Sequence, residues 1–178
     1  MAMTITEALA ELKTVDKRIA KKREFVLTYL LRVEMIRDPL EKEGGSVAAV
    51  KREQQAIGDL EERKVLIRRR INDANAATAL RVGVVTRPLA DWLIWRRDVA
   101  PGVKAGLDAL AARINSARAE AQKRGASVSA AGEAKRQDDI IVNVSESDLA
   151  AQREALEETL GVLDGQLSLK NATVTIEV

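Results

Sequence analysis

An apolar side chain returns every three or four positions through the first seventy-odd residues, and this spacing constrains the fold more than any other feature. Ile5, Ala8, Leu12, Val15, Ile19, Lys22, Val26, Tyr29, Val33 and Ile36 form one such series, interrupted once by a charge at Lys22. A mean step of 3.5 keeps one stripe of a helix against one partner, so the series predicts a long helix with a left-handed supercoil. Thr4 followed by Glu7 reads as a capping box at its start. Asp38-Pro39 should end it, because the proline ring disfavours helical backbone in the residue before it. Gly44-Gly45 then supplies a turn and Ser46 a cap. Val50, Glu53, Ile57, Leu60, Lys64, Ile67, Ile71 and Ala74 repeat the spacing. Two long helices joined by a short connection run antiparallel, so residues 1–78 are expected to form a helical hairpin on the order of 45 Å long. Lys22, Glu53 and Lys64 place charge within the stripe. Such charges are tolerated where they pair across the seam, and there they would set its register.

Beyond the hairpin the pattern changes. Leu80, Val82, Val84 and Val85 around Gly83 predict a short strand or extended turn. A third helix is expected from Thr86, with a stripe of Leu89, Trp92, Val99, Val103, Leu107, Leu110, Ile114 and Ala117. Ala100-Pro101-Gly102 should kink or break it. Residues 125–139, rich in Gly, Ala, Ser and charge, read as a loop. Ile140 to Val144 suggests a strand, and Ser145 to Asp148 caps a fourth helix carrying Leu149, Leu156, Leu160, Leu163 and Leu167. From Asn171 to Val178, Val174, Ile176 and Val178 alternate with polar residues as a strand requires. The expected fold is mainly α: an elongated antiparallel bundle of about four helices with a small terminal sheet of two or three short strands, all in one domain. Its parts would be the hairpin (1–78), a strand and third helix (79–124), a loop (125–139), and a strand, fourth helix and last strand (140–178).

Composition narrows the chemistry. There is no Cys and no His, and only 2 % of residues are aromatic. Ser-His-Asp triads, Cys-His pairs and His- or Cys-bearing zinc sites are therefore excluded. Glu61-Glu62 and Glu157-Glu158 lack the His that normally completes a carboxylate-bridged metal helix pair. No catalytic residue, metal ligand or cofactor is expected, and an enzyme is disfavoured. The opening residues read as neither a signal nor a transit peptide, and Phe25 to Leu31 is far short of the roughly 20 apolar residues that span a bilayer. The expected location is the cytoplasm, or a virion assembled there. Charge is asymmetric: residues 1–124 carry 25 basic and 17 acidic side chains, residues 125–178 carry 4 and 10. A basic part can attract nucleic acid, but the signs alternate along each helix and no stacking aromatics accompany them. Arg68-Arg69-Arg70, with Glu61, Glu62 and Asp73 in reach, reads as a solvated face.

The most distinctive local feature is Trp92 and Trp95 beside Arg96 and Arg97. Residues three apart share a helix face, so the pair can dock on another subunit, stack on a base, or fill a junction within the chain. An unpaired edge at Val174, Ile176 and Val178 could likewise join a neighbour. These seven residues are the candidate interface.

From the second helix onward the order of features resembles the small helical septicolysin-like proteins. The residues that carry this are Arg70-Ile71-Asn72, Asn75, Thr78, Gly83, Thr86, Arg96-Arg97-Asp98, Leu163-Asp164, Leu167 and Asn171. The stretch 125–139 and the Trp pair depart from that pattern. The resemblance implies a cytolysin that rearranges amphipathic helices onto membranes. In style the chain is also similar to helical accessory proteins of bacteriophage virions. The expectation is a non-enzymatic assembly protein that binds copies of itself and other structural proteins, with the head or tail of a phage as the particle. Membrane and nucleic acid are disfavoured as partners, and a cytolysin and a nucleic-acid-binding module are the alternatives.

Overall fold

The computed structural model describes residues 2–130 and 136–178 and is mainly α-helical, with six short strands. The chain divides into two compact units, residues 1–78 with 168–178, and residues 79–167.

In the first unit, β1 (Ala2–Thr4) leads into α1 (Ile5–Thr28), and a connection containing one 3-10 turn (Glu41–Glu43) leads into α2 (Ser46–Ala77). The capping box is formed. Glu7 donates its backbone N–H to Thr4 Oγ1 at 3.2 Å, and Thr4 donates its own to Glu7 Oε2 at 2.7 Å. Ile5, Ala8, Leu12, Val15 and Ile19 are all buried, as the heptad spacing requires. Ile5, Ala8 and Leu12 pack with Ile67, Ile71 and Ile176 in one core cluster. The seam charges pair across the hairpin. Lys22 meets Glu53 at 2.7 Å and Lys64 meets Asp16 at 2.6 Å, flanked by Arg23–Glu61 and Arg63–Glu11. Glu11 and Asp16, early in α1, meet Arg63 and Lys64, while Lys22 and Arg23, later in α1, meet the earlier Glu53 and Glu61, which is the antiparallel order.

Helix α1 ends ten residues earlier than the sequence suggests. Tyr29 caps it, and Val33 and Ile36 lie in the connection, exposed. The reason lies in the register. Placing Lys22 on Glu53 puts Tyr29 level with Ser46, the first residue of α2, so beyond Tyr29 a continuing α1 would have no partner. Most helical stability in proteins comes from packing, and an unsupported extension is marginal in water. Ser46 is also not the cap: Gly45, at φ +89°, holds that position.

The last strand, β6 (Thr175–Glu177), pairs antiparallel with β1, Ile176 opposite Met3. This puts Ile176 in the core and Val174 and Val178 against it, on the alternating face that the sequence marks. The segment is shorter than expected, since the helix before it runs on to Thr173.

The second unit opens with a hairpin, β2 (Ala79–Val82) and β3 (Val85–Pro88), turned at Gly83-Val84 with Gly83 at φ +57°. Thr86 therefore lies in a strand, and Pro88 is the residue from which the next helix starts. Helix α3 (Leu89–Ile94) passes through a wide π turn (Trp95–Val99) into α4 (Ala100–Arg124). Pro101 neither breaks nor ends the helix. It has no N–H to offer, and its ring crowds the carbonyl four residues back. The wide turn sits immediately before it, with the Ala100 N–H reaching five residues back to the Trp95 carbonyl. Downstream, Ala100, Leu107, Ile114 and Ala121 are the buried positions, in strict steps of seven. Val99, Val103 and Leu110, expected in the stripe, are exposed. Strand β4 (Val128–Ala130) lies within the stretch expected to be a loop and pairs in parallel with β5 (Ile140–Val142). Residues 131–135 of that loop lie outside the described residues.

Helix α5 (Glu146–Thr173) buries Leu149, Leu156, Leu163 and Leu167. Leu149 and Leu156 join Ala100, Leu107 and Ile114 in one cluster. Arg118–Glu146, Arg153–Asp108 and Lys104–Glu157 ladder between α4 and α5, and Arg96 in the wide turn continues the series to Asp164, again antiparallel. The strands thus form three separate two-stranded pairs and not one sheet.

Candidate interaction surfaces

The Trp–Arg group is drawn into the second unit's own packing. Trp92 is buried in a cluster with Leu80, Val82, Leu89, Leu163 and Leu167. Its indole N–H donates to the Leu80 carbonyl at 3.0 Å. Trp95 is half-buried and meets Trp92 edge to face, with ring centroids 5.7 Å apart, an arrangement suited to the ring quadrupoles. The Arg87 guanidinium lies 5.3 Å above the Trp92 ring. Arg96 pairs with Asp164 at 2.8 Å. Arg97 forms two parallel bonds to its neighbour Asp98, which hold the Asp98 carboxyl below its ordinary range and raise the guanidinium further. Of these four candidates, Arg96 and Arg97 reach solvent and Trp92 does not. At the other candidate edge, Ile176 is buried and Val174 and Val178 pack against the first core.

A different surface is left uncovered at the tip of the first hairpin. Leu27, Leu30, Leu31, Val33, Met35, Ile36 and Val47 are each more than half exposed, Leu31 at 86 % and Met35 at 96 %. Tyr29, Leu30, Val47, Val50, Lys51 and Gln54 line an open cleft of about 490 Å³ between the end of α1 and the first turns of α2. Phe25 and Tyr29, at the end of α1, meet with their rings tilted and centroids 4.6 Å apart.

The tip is built by Asp38. Its carboxylate accepts from the Leu40 N–H at 2.9 Å, from the Ser46 N–H at 2.8 Å and from the Ser46 hydroxyl. Hydrogen bonds from Ser46 lower its pKa most, followed by that from the Leu40 backbone. A carboxylate at a helix start also meets the positive end of the helix dipole. The backbone is closed by Gly45 N–H to the Leu40 carbonyl at 2.9 Å and Glu43 N–H to the same oxygen at 2.8 Å, with Leu40 buried beneath. Gly44 and Gly45 both take positive φ here, which an L side chain rarely adopts. The connection is thus tied down on its α2 side, from Asp38 onward. Its apolar side chains stand out between the end of α1 and that fixed corner.

The sequence alone does not mark this surface: up to Asp38-Pro39, residues 29–36 read as a continued seam, and only the register of α1 on α2 shows that nothing lies opposite them. Among the described residues no group of three or more His, Cys, Asp or Glu is placed to hold a metal ion, and no helix is long and apolar enough to cross a membrane. One buried polar atom stands apart: the Asn75 side-chain carbonyl, near the end of α2, has no hydrogen-bond partner.

No family model matches the chain, and no curated protein matches it. Among solved structures it is similar to a functionally unknown conserved protein from Corynebacterium diphtheriae, at 19 % identity and a TM-score of 0.49, over 99 % of this chain and 100 % of that one.

Proposed function

We propose that this protein is a non-enzymatic assembly subunit, whose helical pairs form a scaffold and whose hairpin tip docks it within an oligomer or larger particle. The observation that supports this is the group of seven large apolar side chains left exposed between Leu27 and Val47. Contiguous apolar surface of that kind on a soluble domain marks an interaction site. Buried stripes hold the long helices together within the chain, and the tip gathers seven of the exposed large apolar side chains into one short stretch. The particle we have in view is a bacteriophage virion, with the chain as a head or tail accessory component.

Native mass spectrometry and multi-angle light scattering test the reading. The expected result is a defined oligomer, or co-purification with a particle. A chain that stays monomeric at every concentration and causes liposomes to leak would overturn it in favour of a membrane-active protein.

A further inference from the structure

We infer that the hairpin tip is a self-association face, on which a second copy of this chain seats tip to tip about a two-fold axis; the inference rests on the assembly reading and names its partner. Three observations select this occupant. The first is size. The exposed surfaces of the seven tip residues sum to on the order of 800–1,000 Å², level with the roughly 800 Å² each partner gives a standard interface.

The second is charge. From residue 30 to residue 52 five basic side chains stand among four acidic ones. Several are already matched locally: Arg37 with Glu41, Arg32 with Glu34 at 3.7 Å, and Arg52 with the Glu43 carbonyl. Each rim is close to neutral, so two identical ones face each other with little net repulsion. A polybasic rim, which an anionic bilayer would attract, is not what surrounds the patch. The third is form. The tip pairs an open cleft, lined in part by the exposed Leu30 and Val47, with the protruding side chain of Leu31, next in the chain to Leu30. A two-fold contact needs one patch to carry both knob and hole, each copy filling the other.

Because the chain has no cysteine, a single introduced thiol reports directly on the contact. Met35→Cys is expected to form an intermolecular disulfide about tenfold faster under mild oxidation than Val84→Cys, a control at the exposed β2–β3 turn, because association raises the local thiol concentration. The double variant Leu31→Glu, Met35→Glu should turn the wild-type oligomer into monomers in sedimentation velocity. Both side chains are almost fully exposed, so circular dichroism should remain that of the wild type. An oligomer that persists in the double variant, with equal cross-linking at 35 and 84, overturns the tip contact and leaves the assembly reading standing. A wild-type chain that is monomeric throughout, and that binds phosphatidylcholine vesicles in a manner the double variant loses, overturns both and assigns the tip to a membrane.

Discussion

Lys22 Nζ lies 2.7 Å from Glu53 Oε2 across the α1–α2 seam, with each side chain less than a third exposed. Both residues occupy positions where the heptad calls for an apolar side chain. Ion pairs at such sites gain Coulomb energy but lose hydration, and the two nearly offset. We expect Lys22→Ala to destabilise the chain by about 1 kcal/mol, and the double change Lys22→Met, Glu53→Leu to match or exceed the wild type. Urea unfolding monitored by circular dichroism measures both. A double variant much weaker than either single one would show that the pair holds more than the register of the hairpin.

Asp38 makes the tip acid-sensitive. Its folded-state pKa lies below its ordinary value because the Ser46 hydroxyl and N–H and the Leu40 N–H bind the ionised form. The stability it contributes is complete above the unfolded-state pKa of about 3.9 and is lost as pH falls through the lower folded value. Asp38→Asn should therefore unfold at lower urea concentration than the wild type at pH 7, with the difference shrinking below about pH 4. A difference that stays constant down to pH 2 would contradict this assignment.

Trp92→Phe removes one hydrogen bond from the second core while keeping most of the ring. The Leu80 carbonyl would lose the donor that now lies 3.0 Å away. The expected cost is about 1–2 kcal/mol, with no change in oligomeric state, since Trp92 is buried within its own unit. A loss of oligomer with stability unchanged would place this residue in the interface.

Asn75→Leu should raise stability. Asn75 is 8 % exposed, and its side-chain oxygen has no partner. A buried acceptor left unsatisfied costs about 1–3 kcal/mol, and leucine has the same branched shape and heavy-atom count as asparagine. An increase in urea midpoint is the expected readout, and a decrease would show that the amide is satisfied in solution.

The first hairpin was legible in the sequence because its stripe is strictly periodic and its start is marked by a capping box. The inward residues Ile5, Leu12, Ile19, Ile67 and Ile71 follow from spacing alone. Where α1 stops did not follow, because the end is fixed by the length of its partner and not by a local breaker. The apolar run 29–36 looks the same whether it meets a second helix or water. For the third helix the difficulty was different: Ala100 and Ala121 share the inward face with Leu107 and Ile114, while Val99 and Val103 are exposed, so at the ends of that face small residues point inward and larger ones outward. Sequence reading assigns the larger side chain to the core by default. The Trp pair is compatible in sequence with a subunit contact, a stacked base or a junction within the chain, and spacing alone does not choose between them. Its burial depends on β2 and α5, which lie far from it in sequence.

The wide turn at Trp95–Val99 has a consequence for how the third helix is to be compared with any relative. Steps of seven run back from Ala121 through Ala100 to Leu93, yet the side chain that enters the core is Trp92. The turn absorbs one surplus residue, and the azimuth of everything upstream swings by about 100° against an uninterrupted helix. Excising a single residue there would keep every connection of the fold and still swing the indole out of alignment with Leu163. An alignment that treats this helix as ungapped would match core to surface on one side of Pro101.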